Sequence, residues 1–155
     1  MKSIAIPLTL LLSACSGTAS APQPSQLNYV DLSSETDPSQ IERYWDVAKT
    51  VEPEYPVSAA RDGISGCVDL IVGINSDGKL QGFKIRSSYP KGVFDKSAAT
   101  AIAKWRWSAA EANPERKPIL TSYQLDFRLF NVNEISSKNK SAKADFLAHC
   151  DKHNT

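Results

Sequence analysis

Histidine is nearly missing from this chain: His149 and His153 are the only two, four residues apart and flanking Cys150-Asp151. On a helix they could share a metal with Asp145, and a Cys-His pair could activate a thiolate. Both arrangements need order in the last residues of a chain, where fraying is usual. No phosphate-binding glycine loop, nucleophile elbow or recognisable pair of carboxylates is present either. The expectation is a non-enzyme with no metal and no cofactor. An excess of one charge is lacking too: 18 basic and 17 acidic residues leave a formal net charge of +1. That removes the electrostatic case for nucleic acid or for an anionic membrane surface as partner. Long hydrophobic runs are also missing. The apolar stretch from Ile4 to Leu12 is far shorter than the roughly 20 residues needed to cross a bilayer as a helix.

What is there begins with that short run. Lys2 ahead of it and Ser13-Ala14 behind it read as a secretory signal peptide. Leu12-Ser13-Ala14-Cys15 also resembles the bacterial lipobox, in which cleavage before the cysteine leaves it as a lipidated N-terminus. An ordinary signal peptide cut near Ala14 or Ala21 is the alternative. Each buried CH₂ of an acyl chain contributes about 0.8 kcal/mol, and stable anchoring takes more than one chain, as in multiply acylated lipoproteins. By resemblance to lipoprotein sorting rules, Ser16 favours the outer over the inner membrane. With Cys15 assigned to lipid, Cys67 and Cys150 remain as an even pair in an oxidising compartment. A disulfide is the expectation, closing a loop of about 80 residues with an upper stabilisation near 4–5 kcal/mol. Two free thiols, or pairing with another chain, remain the alternatives.

From Ser16 to Ser34 the composition is Ser, Ala, Pro, Gln and Thr with few large apolar residues, which reads as a flexible tether. The roughly 30 residues between Cys15 and Trp45 would reach on the order of 100 Å fully extended. Asp37-Pro38-Ser39-Gln40 has the form of a helix start, predicting a short helix to about Tyr44 and extended chain after it. Pro56 opens a second helix that Gly63 closes. Val68, Leu70, Val72 and Ile74 then alternate as the buried row of a strand. Asn75-Ser76-Asp77-Gly78 is a turn, and a second strand runs from Leu80 to Ser87 with Phe83 and Ile85 inward and a bulge near Gly82. Phe94, Ala98, Ile102 and Trp105 recur at helical spacing, predicting a helix to about Trp105. Tyr123, Leu125, Phe127 and Leu129 mark a third strand, from Leu120 to Phe130. The order helix-strand-strand-helix-strand implies an α+β fold. Strand three lies beside strand one in a three-stranded mixed sheet packed on the helix. Ala142, Phe146 and Cys150 predict a tail helix that, if Cys150 meets Cys67, lies over the second face of the sheet and shields Ile71 and Phe130.

These residues form an ordered series: Tyr55-Pro56, Ala59-Ala60, Gly63-Ile64-Ser65-Gly66, Asp77-Gly78, Ser87-Ser88-Tyr89-Pro90, Gly92-Val93-Phe94-Asp95 with Ala98, and Trp105-Arg106-Trp107. The series resembles the C-terminal domain of the TonB family, over roughly Trp45 to Phe130. The implied organisation is a signal peptide at 1–14, a lipid-anchored tether with a short helix at 15–44, a TonB C-terminal-like domain at 45–132 and a disulfide-linked polar tail at 133–155. The resemblance implies an edge strand that pairs with a segment of an outer-membrane receptor. Here that edge is Tyr123, Gln124, Leu125, Asp126, Phe127 and Arg128, with the backbone giving affinity and Gln124, Asp126 and Arg128 adjusting specificity. The implied partner is an envelope protein, a TonB-dependent receptor or transport component, and edge strands also allow a homodimer. A transmembrane helix and a long Glu-Pro and Lys-Pro linker are features of TonB that the sequence does not display, so the expectation is a periplasm-facing module without its own energy-coupling helix. The alternative is a structural envelope lipoprotein, complex-stabilising or peptidoglycan-contacting, whose edge is capped by Val47 to Val51.

Overall fold

A computed structural model describes residues 28–129 and 137–151. Strand β1 (Val30–Asp31) precedes helix α1 (Pro38–Glu42). That helix starts as its sequence dictates: Asp37 is extended and its carboxylate accepts the Ser39 N–H at 3.0 Å, with proline in the first turn. Strand β2 (Trp45–Lys49) follows, then α2 (Val57–Asp62), which begins after Pro56 and ends at Gly63 with φ of 69°. Only glycine adopts that left-handed cap at no steric cost. Strand β3 (Gly66–Ile74) and strand β4 (Leu80–Tyr89) form a hairpin. The turn between them is fastened by the Asn75 side-chain oxygen, which accepts the N–H groups of Asp77 and Lys79 at 3.0 Å each. Helix α3 (Asp95–Ile102), strand β5 (Arg106–Ala109), strand β6 (Ile119–Phe127) and helix α4 (Ser137–Cys150) complete the chain.

The sheet order is β1-β6-β3-β4, with β2 and β5 forming a separate antiparallel pair. As the alternation predicts, Val68, Leu70, Val72 and Ile74 of β3 are fully buried, packed with Phe94, Ala98 and Ile102 beneath the sheet. Phe94 stacks on Phe127 at 4.3 Å, and Tyr55 meets both rings edge-on. The strands lie as expected around β3, antiparallel to both neighbours.

Several details depart from the expectation. The sheet has four strands, because β1 lies parallel to β6. The folded unit therefore takes in residues from about 28 onward, where a tether reaching to residue 44 was expected. Val47 does not cap strand three: β2 pairs with β5 instead. Helix α3 stops at Ile102, since Trp105 leaves the helical course to donate its indole N–H to the Val51 carbonyl at 3.1 Å and to meet Tyr123 edge-on. Phe83 shares a face with Val72 through their pairing, yet it is 46% exposed; β4 is the outermost strand, so its residues have a strand neighbour on one side only. Strand three ends at Phe127, with the Leu129 N–H bonded to the Ser65 hydroxyl, and Phe130 lies outside the described residues. The expected bulge is present: Gly82 pairs with Gly73 and Leu80 with Ile74, leaving Gln81 as the extra residue.

Two glycines of this hairpin make opposite demands. Gly78 has φ of 69°, and a Cβ there would lie 1.9 Å from the Trp107 carbonyl oxygen, whereas a Cβ on Gly82 would meet open space. Gly78→Ala should lose at least about 1–3 kcal/mol from backbone strain, with the clash added. Gly82→Ala should leave unfolding in urea unchanged or slightly strengthened.

Candidate functional site

Strand β6 is held on one side by an unbroken ladder to β3, from Ile119 opposite Ile74 to Phe127 opposite Gly66. Its other side carries β1 for two positions, through the Val30 N–H to the Pro118 carbonyl at 3.0 Å and the Leu32 N–H to the Leu120 carbonyl at 2.8 Å. The carbonyls of even-numbered residues thus face outward, and by strand periodicity so do the N–H and C=O groups of Ser122, Gln124 and Asp126. Among the described residues no backbone group bonds to these three.

Of the six residues expected to form the site, three face each way. Tyr123, Leu125 and Phe127 point into the core: Leu125 and Phe127 are buried, and the Tyr123 hydroxyl accepts the Trp107 indole N–H at 3.0 Å. Their backbone groups serve the β3 ladder, leaving none for a new strand. Gln124, Asp126 and Arg128 gather on the opposite face. The Gln124 amide donates to Asp126 at 2.9 Å and to the Cys150 carbonyl at 2.7 Å. Arg128 pairs with Asp126 and sets its guanidinium 4.9 Å from the Phe146 ring centre. On the core side of the edge, Val51, Glu52, Pro53 and Trp105 wall a cavity of about 420 Å³ shared with Gln124, Leu125, Asp126 and Arg128.

Sequence reasoning missed Ser122 and this wall. The parity of the strand contains the signal for Ser122, since it precedes Gln124 by two. The wall depends on tertiary packing that no local pattern announces.

The far wall is α4. Cys67 and Cys150 are disulfide-bonded with their Cα atoms 5.7 Å apart, forming a small buried cluster with Phe146, against which Tyr89 packs. The Tyr89 hydroxyl donates to Asp145 at 2.8 Å, and His149 stacks on the Tyr89 ring at 3.8 Å. Cys150 therefore presents no thiolate to His149. Among the described residues no three metal-capable side chains converge, and His153 and Cys15 lie outside them. As expected, Ala142, Phe146 and Cys150 turn inward. Ile71, however, stays outside the α4 cluster and partly exposed, because the helix docks at the Cys67 end of β3.

Burial raises the Tyr123 pKa above 10.0, opposed by the Trp107 hydrogen bond. A folded-state value above the unfolded one means that the neutral phenol's contribution to stability is whole below pH 10 and declines as pH passes the folded value. In a 295 nm absorbance titration, Tyr123→Phe should remove a component that ionises above pH 10.

Among the described residues no helix is long and apolar enough to cross a membrane. Comparison with known proteins adds the lineage. Residues 51–129 match the family described as Gram-negative bacterial TonB protein C-terminal. Protein TonB of Pseudomonas aeruginosa is 38% identical over 55 residues, 36% of this chain and 16% of that protein. Protein TonB of Xanthomonas campestris pv. campestris is 31% identical over 77 residues, 50% of this chain and 34% of its own length. The chain thus spans about a third or less of the length of these relatives. A solution NMR structure of the Pseudomonas aeruginosa TonB C-terminal domain aligns with a TM-score of 0.48 at 26% identity, covering 56% of this chain and 88% of that one. With its family match spanning half of the sequence, the chain belongs to the TonB C-terminal family.

Proposed function

We propose that this protein is a periplasm-facing, lipid-anchored binding module that takes an extended segment of an envelope transport protein along the outer edge of β6. A TonB-dependent receptor or a component of that transport system is the partner, and energy coupling is left to other proteins. The observation that carries this reading is the edge itself: three successive outward residues, Ser122, Gln124 and Asp126, on a strand whose ladder to β3 has no register shift. The other sheet edge argues by contrast. Strand β4 is longer, but it has two bulges, at Gln81 and at Arg86, and it carries Lys84. Bulges and lysines are the devices by which natural sheets discourage edge pairing, and β6 has neither between Ser122 and Asp126. The rival reading, a structural lipoprotein with a capped edge, would be favoured by Val47 to Val51 along β6; β2 pairs with β5 instead.

Magnitudes limit what the backbone alone can do. Six backbone groups at roughly 0.5–1.5 kcal/mol net each amount to about 3–9 kcal/mol. Association costs an estimated 4–15 kcal/mol in lost freedom. Side chains beside the edge must therefore supply the surplus, and the cavity beside Trp105 is one place for them.

The anchor also constrains reach. With Cys15 as the lipid-bearing residue, some 15 residues lead to Val30, or roughly 50 Å when fully extended. The module would then work close to its own membrane. Replacing Cys15 with Ser should shift the protein from the membrane fraction to the soluble fraction; a soluble location that the substitution leaves unchanged removes the anchor from the reading.

The edge is tested by photo-crosslinkers at Gln124 and Asp126 in intact cells, with Lys84 on β4 as control. The β6 positions should capture a protein partner that Asp126→Pro abolishes. Proline is tolerated where the N–H faces outward, so the fold should survive while strand pairing does not. Equal capture at Lys84, or capture indifferent to the proline, would count against the edge.

A further inference from the structure

Where β1 leaves β6, the chain turns through Ser33 and Ser34, then enters α1. Between this turn and the first free position of the edge lies a second cavity, of about 480 Å³. Pro38, Ile41 and Tyr123 contribute to its walls, and Ser122 reaches it from the edge. We propose that this cavity selects the partner by one large apolar side chain, aromatic or branched aliphatic, carried at the end of the segment that meets Ser122. The inference rests on the edge-pairing reading and deepens it.

Three observations support it. First, the charged groups of the cavity are already engaged by the chain itself. Arg86 donates to Asp69 at 2.8 Å and to the Ser33 carbonyl at 2.9 Å. The Glu35 carboxylate accepts the N–H groups of Thr36 and Asp37 at 2.9 and 3.0 Å. A polar occupant would compete with these internal bonds for Arg86 and for Glu35 Oε1, whereas an apolar one loses nothing by meeting Ile41, Pro38 and Tyr123. Second, the cavity is continuous with an existing strand interface. β1 already lies on this edge, with Val30 opposite Ile119 and Asp31 opposite Leu120, and its last bond is from the Leu32 N–H to the Leu120 carbonyl. A strand that continues the row starts at Ser122, so its first side chains fall beside the cavity. Third, the volume is within the 300–1,000 Å³ range of ligand pockets, ample for an aromatic ring. Ser33 to Ile41, which supply most of the walls, precede the 51–129 stretch shared with the family. Most of the pocket is thus built by residues outside the stretch matched to the family, with Arg86, Ser122 and Tyr123 inside it.

The test uses random 12-residue linear peptides displayed on phage and selected on the purified full-length protein. Recovered peptides are then measured as soluble ligands by calorimetry. Expected are sequences with Phe, Trp, Leu or Ile at one fixed position, whose binding Gln124→Pro abolishes. Alanine at that position should weaken binding at least tenfold. Ser34→Trp or Thr36→Trp, each filling the cavity from an exposed site, should do the same, with no further loss when combined with the alanine peptide. Unchanged melting temperatures establish that the variants are folded. Peptides that need an intact edge but show no apolar preference, or whose preference survives both tryptophans, overturn the pocket and leave the edge standing. Peptides indifferent to Gln124→Pro overturn the edge, and the pocket with it.

Discussion

The architecture depends on the ladder between β3 and β6. Nine consecutive pairs join them without a register shift, and strand alternation then sets every other choice. Because Val68, Leu70, Val72 and Ile74 must all be buried, their partners across the ladder, Leu125, Tyr123, Thr121 and Ile119, are fixed to the same face. A slip of one residue would turn the slipping strand's whole row to the wrong side. The same constraint decides which backbone groups of β6 are spent on β3 and which remain for another strand. Core packing and the make-up of the open edge are therefore one decision, made by the period of the strand.

How far this was legible in the residues follows from element length. Nine-residue strands with alternating apolar rows announce themselves, and so do Asp37-Pro38 and Gly63 as helix boundaries. Strands β1 and β5, of two and four residues, are too short for a period to emerge and exist only because a neighbour is there to pair with. Trp105 misled for a related reason. Its spacing from Ile102 and Ala98 fits a helix, but the Val51 carbonyl and the Tyr123 ring hold it more strongly than one more helical turn would. The candidate site was half readable in the same sense. The strand could be found, its polar and apolar faces separated and Ser122 reached by parity from Gln124, whereas the walls at residues 33–41 and 51–53 came from tertiary packing.

The tail helix shows a different balance of forces. Its buried contribution is little more than Phe146 beside Tyr89 and the disulfide. Burying one phenylalanine contributes roughly 1.5–3 kcal/mol, and a 14-residue helix is marginal by itself in water. A cross-link closing a loop this long can contribute up to about 5 kcal/mol, so it outweighs the packing. Docking of α4 is thus chiefly a covalent matter, and its product is local: the Cys150 carbonyl receives the Gln124 amide, and Phe146 receives Arg128. Two side chains of the free edge are steadied by a helix that the sheet would otherwise hold weakly.

That arrangement bears on how a sheet edge can discriminate between the segments that meet it. Backbone groups on an edge accept any extended segment, since every residue but proline offers the same donor and acceptor. Discrimination has to come from what stands on either side. Here the β6 edge runs between a disulfide-held helix on one face and the Val51–Pro53 strip with Trp105 on the other, and it begins at a pocket made by residues 33–41. The helix and the residue 33–41 part of the pocket lie outside residues 51–129, the stretch matched to the family, while Arg86, Ser122 and Tyr123 lie within it. On the edge-pairing proposal, the family-matched stretch would supply the strand and the segments on either side of it would shape what can reach that strand.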